Sequence, residues 1–243
     1  MNNKHRFAAI FPHSDDFTLN AFGLMSDLLA AGYEGFWIRT TDDCMDSYDL
    51  SYGQTTALLE QETEEAARFL GIQKVYHLNY KNHDLHSFHL IELRHRLMLL
   101  LRFLKIDTVI TFDPYGHYEE NPDHYITGKA VEHATWMAAR KSDLPETFDM
   151  GLKTQFVRDK YYFARGPQET NFEVDLTPYL TSKQQAIRIH RTPLDNMWKG
   201  YLEKHPEYSP EGCPFESFLN RFFLQPILET PHERFRHISS YEF

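Results

Sequence analysis

The chain has 243 residues, with 35 acidic against 25 basic side chains and a formal net charge of −10. Its 42% hydrophobic content, with 19 phenylalanines and 14 tyrosines, supplies a sizeable core and excludes intrinsic disorder. The acidic balance excludes a phosphate-backbone binder, so no nucleic-acid partner is expected, and no apolar run approaches the ~18 residues of a membrane span.

Arg6–Phe11 is an apolar run with strand character. It is too short for a signal-peptide core and leads straight into His13-Ser14-Asp15-Asp16. Residues 18–31 place Leu19, Phe22, Met25, Leu28 and Leu29 at helical spacing, with Gly32 as a stop. Residues 35–39 read as a second strand. Residues 55–70 are helical, with Leu58, Leu59, Ala66, Phe69 and Leu70 on one side and Gly71 at the end. A third strand at 75–78, a long amphipathic helix at 88–104 and a fourth strand at 107–112 follow. Residues 124–139 form a helix whose inner face is Ile126, Ala130, Val131 and Ala134. This alternation predicts an α/β fold, a parallel sheet covered on both faces, because parallel strands need crossover helices. Ligands in such folds sit at the carboxyl ends of strands. The loops after Phe11, Arg39, Leu78 and Phe112 are therefore where function is expected.

Residues 141–243 hold nine of the twelve prolines and carry shorter helix signals. Strands are expected at 161–164 and 172–174, and a helix at 180–190. This part reads as an irregular C-terminal extension of one domain spanning 1–243, walling a site built on an α/β core over 1–140. The two cysteines, Cys44 and Cys213, make neither a disulfide framework nor a four-cysteine zinc site and suit a reducing cytoplasm. Histidine, at 14 residues, is frequent.

Two polar clusters fall at the predicted carboxyl ends of strands one and four: His13-Ser14-Asp15-Asp16 and Asn121-Pro122-Asp123-His124. Each opens a predicted helix. A catalytic zinc ion takes three ligands from His, Asp or Glu and keeps one position open. His13 and Asp16, three apart at a strand-to-helix turn, can face one ion, and His124 completes the set from the other loop. Asp15 is then free to act as general base on the water whose pKa the metal lowers towards ~7. Alone, each motif reads as a helix cap or turn. The coincidence of both at strand ends favours a metal hydrolase acting on a polarised carbonyl. Such a donor set also accepts iron(II), cobalt or manganese.

At these residues the chain resembles the zinc-dependent deacetylases of the PIG-L/LmbE type, which remove acetyl groups from N-acetylglucosamine-containing molecules. Their first motif, A-H-P-D-D-E, corresponds to Pro12-His13-Ser14-Asp15-Asp16-Phe17 preceded by Phe11, and their second, H-P-D-H, to Asn121-Pro122-Asp123-His124. Glu62, Ala66, Ala67, Leu70 and Gly71 match the helix pattern between them, and Lys183, Ala186 and His190 a later K-x-x-A-x-x-x-H stretch. The resemblance implies a Rossmann-like fold, zinc on His13, Asp16 and His124, Asp15 as base, and an amino sugar or glycoconjugate as substrate. Three departures stand out. Ser14 replaces proline. Phe17 replaces glutamate, removing a charge beside the site. Asn121 stands where members carry a histidine that polarises the carbonyl or protonates the leaving amine; asparagine can donate to an oxyanion but supplies no titratable proton. His117 is the candidate substitute, and Tyr115 and Asp123 are assigned to substrate binding. A catalytically impaired, metal-binding carbohydrate-recognition module of the same fold is the alternative function.

Secondary features are weighed beside these. His83, His86 and His89 straddle a loop-to-helix boundary without a carboxylate-rich partner loop, so a second metal site is not favoured. His83 or Asp84, after the third strand, is instead placed to touch substrate. The loop 40–49, with Asp42, Asp43, Asp46 and Asp49, reads first as a solvated acidic loop and otherwise as a recognition loop at the pocket mouth. Arg188, His190 and Arg191 read as a solvated helix end. The sequence leaves a homo-oligomer open.

Overall fold

The structure, a computed structural model, describes residues 4–86, 89–164 and 169–239. Phe88, the expected start of the third helix, lies outside them. A seven-stranded sheet is ordered β3-β2-β1-β4-β5-β7-β6. Its strands are β1 (Arg6–Phe11), β2 (Glu34–Thr41), β3 (Lys74–Tyr80), β4 (Thr108–Phe112), β5 (Asp159–Phe163), β6 (Phe172–Asp175) and β7 (His232–Ser239). The first five run parallel, and β7 joins antiparallel between β5 and β6.

The period of two along β1 divides its side chains between two cores. Ala8 and Ile10 pack with Leu93, Leu97 and Leu101 of α3 (Leu90–Leu104) and with Ala130 and Val131 of α4 (Pro122–Ala138). Phe7, Ala9 and Phe11 pack on the other face with Leu24 and Met25 of α1 (Asp16–Ala30) and Ala66 and Ala67 of α2 (Tyr52–Leu70). Phe17 belongs to this second core. It stacks on Trp37 with ring centroids 4.4 Å apart and meets Phe11 edge-on. Where the resembled motif has glutamate, this chain thus has a residue buried in the second core.

The second motif is positioned by close packing. A Cβ on Gly128 would lie 2.5 Å from the Phe112 carbonyl oxygen and 3.1 Å from Pro114 N, so α4 approaches the end of β4 as only glycine allows. One turn earlier, the His124 ring lies parallel to Phe112, centroids 3.9 Å apart.

Residues 141–239 carry more regular structure than their short helix signals predict. Besides the strands they contain α5 (Glu146–Asp149), a 3₁₀ turn (Thr177–Tyr179), α6 (Leu180–Ile189), α7 (Arg191–Lys204), α8 (Phe215–Leu219), a π-helical turn (Asn220–Leu224) and α9 (Gln225–Glu229). The sequence reading missed β7 because its charged residues point inward to defined partners. Arg236 donates twice to Asp113, at 2.6 and 2.9 Å, locking the end of β4. Glu233 accepts from the amides of Gly23 and Leu24, at 3.0 Å each, just past the break in α1 at Ala21, and pairs with buried Lys183 at 2.8 Å. His190 is buried too, with Nε2 2.7 Å from Thr18 Oγ1, and burial pushes its pKa down to about 4. The expected solvated basic cluster holds for Arg188, in an exposed pair with Glu216, and for Arg191, exposed over Phe215, whereas His190 is a neutral buried brace.

Glu62 ties α2 to the start of α7, accepting from the Thr192 hydroxyl at 2.7 Å and from its N–H at 3.0 Å. Burial pushes its carboxyl up to about 7. A carboxyl whose folded pKa exceeds its unfolded value contributes stability in full below the unfolded pKa and loses it as pH rises through the folded one. Relative to Glu62→Gln, neutral throughout, the native protein should lose about 1–2 kcal/mol between pH 5 and 8 after discounting for partial exposure, read from thermal midpoints. Gly128→Ala should cost about 1–3 kcal/mol by overpacking against β4 and weaken metal retention through His124, read by thermal denaturation and metal titration.

Candidate active site

The loops after β1 and β4 bring His13, Asp16 and His124 together, all buried. His13 Nδ1 lies 3.2 Å from Asp16 Oδ2 and 3.1 Å from His124 Nε2, and His124 Nε2 lies 3.8 Å from Asp16 Oδ2. Ligands at tetrahedral bond lengths near 2 Å would stand roughly 3.3 Å apart. The donor set therefore fits a tetrahedral cation with one position open to the cavity.

The far sides of both rings support this reading. His13 Nε2 lies 3.2 Å from Asp123 Oδ2, and His124 Nδ1 lies 3.0 Å from Glu119 Oε2. The Asp123 carboxylate accepts from His13 Nε2, and Glu119 stands beside His124 Nδ1 as a charged neighbour, so each imidazole has a carboxylate on the side away from the other ring. Two imidazole nitrogens and a carboxylate oxygen meeting within 3.8 Å in a buried site form a donor set for a cation. Burial alone would lower the His13 pKa, but the Asp123 and Asp16 carboxylates override it and hold it well above the ordinary value. Burial would likewise raise Asp16, yet His124 and His13 hold it below the usual carboxylate range.

Asp15 differs from its neighbours. It is the N-cap residue of α1, but its carboxylate makes no capping bond and opens into a cavity of about 330 Å³. Burial and the charges of Asp16 and Asp46 push its pKa well up. That suits a group that takes and returns a proton. Asn121 lines the same cavity. Its Oδ1 accepts from Asp123 N at 3.0 Å as the N-cap of α4, so its amide nitrogen is the polar group the cap does not use. The remaining wall comes from the loops after β2 and β3, through Asp46, Asn82 and His83, and from Leu19 and Asn20 of α1. Met197 of α7 and Phe223 of the π-helical turn close it from the C-terminal part.

Three expectations are corrected here. His117 is exposed and does not line the cavity; its ring contacts Tyr118, so the structure does not bring it to the metal-ligand cluster as expected. Tyr115 is 65% exposed and its hydroxyl donates to Glu132, outside the cavity. Asp123 is fully buried, its carboxylate taken by His13, His83 N and Leu85 N; it positions a ligand and does not meet substrate. The acidic loop is not solvated as a whole either. Asp43 is buried and accepts from Ser14 N at 2.7 Å and the Thr41 hydroxyl at 2.9 Å. A proline at position 14 could not make that first bond. Asp46 accepts from Asn196 at 2.6 Å, and burial, with the Asp43 charge, pushes it up to about 6. Glu119, Asp46, Met197 and Phe223 were not assigned roles from sequence. Only the acidic loop containing Asp46 carried a signal.

The fold and site are those of a metal-dependent α/β hydrolase. The sequence matches the PIG-L family (GlcNAc-PI de-N-acetylase) over residues 8–135, and the chain belongs to that family. It is 28% identical over 212 residues to a diacetylchitobiose deacetylase of Thermococcus kodakarensis, covering 83% of this chain and 76% of that one. It superposes on the N,N′-diacetylchitobiose deacetylase of Pyrococcus horikoshii, complexed with an inhibitor, with a TM-score of 0.78 and 27% identity, covering 98% of this chain and 85% of the other. A 4-carboxy-2-hydroxymuconate hydratase from Pseudomonas putida shares the fold at a TM-score of 0.70 and 14% identity, covering 96% of each chain. Family membership makes this protein an N-deacetylase, an amide hydrolase.

Carboxylate partners of metal-bound histidines are worth about 10–100-fold in metal affinity. Glu119→Gln and Asp123→Asn should each weaken metal binding on that scale, measured by competition with a chelating dye. Tyr115→Ala should leave metal affinity unchanged.

Proposed function

We propose that the protein removes an N-acyl group, acetyl in the first place, from an amino sugar or its conjugate, using zinc held by His13, Asp16 and His124. The observation that carries this reading is the convergence of three ligand atoms, two of them backed by carboxylates, on a cavity into which the Asp15 carboxylate also opens. A cation bound there supplies a Lewis acid beside the scissile carbonyl.

The chain's own residues do the rest. Asp15 accepts a proton from water as the water oxygen bonds to the carbonyl carbon. Asn121 donates through Nδ2 to the oxygen on which negative charge develops. When the carbon–nitrogen bond breaks, Asp15 returns the proton to the departing nitrogen, and acetate and a free amine result. A fixed donor at position 121 and a proton-carrying Asp15 divide between them what the family histidine does. This favours an active enzyme over a non-catalytic carbohydrate-binding module. The two free cysteines suit a reducing cytoplasm. Among the described residues no helix is long and apolar enough to cross a membrane.

Protein purified without an affinity metal resin should carry about one equivalent of zinc per chain and lose it in His124→Ala. Iron(II), cobalt or manganese in its place would keep the mechanism and correct the metal. Asp15→Asn should retain the metal and lose on the order of 10³-fold in turnover. Asn121→Ala should lose about 10²-fold in kcat with a smaller change in KM. A metal-loaded native protein that releases acetate from no acetylated amino sugar would overturn the reading.

A further inference from the structure

Helix α1 opens on Asp16, one of the three converging ligand groups, and is broken at Ala21, whose φ of −143° and ψ of 20° lie outside the helical region. In an unbroken helix the Leu19 carbonyl would accept from the Gly23 amide. Here Lys183 Nζ donates to Leu19 O at 2.9 Å, and Gly23 N donates to Glu233 Oε1 at 3.0 Å. Lys183 and Glu233 are both buried and pair with each other at 2.8 Å. The ion pair therefore stands in the hydrogen-bond ladder of α1, and a side chain inserted there kinks a helix. It sets residues 16–20 apart from the rest of α1. Within that segment Thr18 is held as well, its hydroxyl 2.7 Å from Nε2 of buried His190.

Asn20 is the last residue of this segment. Its Nδ2 donates to Asp16 Oδ1 at 3.2 Å, one turn back along the helix. The other carboxylate oxygen, Oδ2, accepts from His13 N at 3.0 Å and is the one that faces His13 Nδ1 and His124 Nε2. The two oxygens of Asp16 are thus divided, one toward the ligand cluster and one engaged by an amide. Asn20 also lines the catalytic cavity, so either contact with substrate or the holding of Asp16 is open to it. Its bond to Asp16, and the anchoring of Leu19 and Gly23 on either side of the break, favour the second. Resting on the metal-site reading above, we propose that Asn20 is a positioning residue that limits Asp16 to one oxygen toward the metal. An aspartate free to turn could offer both oxygens and crowd the position that a catalytic site keeps open. The Lys183–Glu233 pair supplies the fixed backbone from which Asn20 acts.

The test compares the native protein with Asn20→Leu, similar in shape but without the amide, and Asn20→Gln, which can still reach an acceptor four residues back. Cobalt(II) affinity is measured by competition with a chelating dye, and coordination by the visible absorption of the cobalt(II)-loaded protein. Steady-state kinetics are run on an acetylated amino sugar with metal saturating. Asn20→Leu should bind cobalt(II) about tenfold more weakly and lose the strong absorption of a four-coordinate ion. Its kcat should fall about fivefold or more while KM changes by less than about twofold. Asn20→Gln should restore most of the affinity and the spectrum. Should the leucine variant fail to fold, Asn20→Ser, too short to reach Asp16, takes its place with the same expectations. A raised KM with native affinity and spectrum would make Asn20 a substrate contact and overturn the proposal. A lowered thermal midpoint with native affinity and spectrum would overturn it equally. Native protein that binds no cobalt(II) would overturn the metal site itself and this proposal with it. Cobalt(II) binding that responds to Asn20 as expected, without acetate release from any acetylated amino sugar, would overturn the deacetylase reading and leave the role of Asn20 standing.

Discussion

A single buried carboxylate joins the parts of this site. Asp123, on the first turn of α4, accepts from His13 Nε2 at 3.2 Å, His83 N at 2.7 Å and Leu85 N at 3.2 Å. It therefore links the loop after β1, the loop after β3 and the helix after β4. Burying that charge unpaired would be prohibitive. The bonds it accepts hold its pKa down against the upward push of burial, so the charge persists and its partners are obliged to stay. His13 and His124 lie 111 residues apart and converge because this junction and the Gly128 contact fix α4 against the ends of β1 and β4.

The same logic is repeated around the cavity. Asp43 holds the Ser14 amide, Asp16 holds the His13 amide at 3.0 Å, and Glu119 backs His124. Carboxylates gathered this closely raise one another's affinity for protons, visible in Asp15 and Asp46. A divalent cation held by His13, Asp16 and His124 would relieve that repulsion. Binding of metal and order of the loops would in this sense be one equilibrium.

How much of this could be read from sequence follows from how local each signal is. The core strands and helices were legible because apolar periodicity is local, and β1 was read to the residue. The convergence of His13, Asp16 and His124 was legible because both clusters sit where strand gives way to helix. What was not legible depends on distant partners. β7 looks polar because Glu233 and Arg236 point at α1 and at Asp113, more than 120 residues away in each case. Asp123 reads as a polar residue facing a ligand, and only the fold reveals that its neighbours saturate it. His117 and Tyr115 were placed near the metal by sequence proximity alone, whereas the loop turns them outward.

The fold does not by itself decide the chemistry, since a hydratase shares it. In the proposed mechanism the division of polar groups at the cavity does. Of the two N-cap residues that open the motif helices, Asn121 spends its side-chain oxygen on the helix and so presents a donor. Asp15 makes no cap and so presents an acceptor. A carbonyl under attack needs both at once: a donor for the oxygen that gains charge and an acceptor for the proton the water sheds. In the proposed mechanism asparagine cannot return that proton and Asp15 does so, its pKa raised by burial and the neighbouring carboxylates.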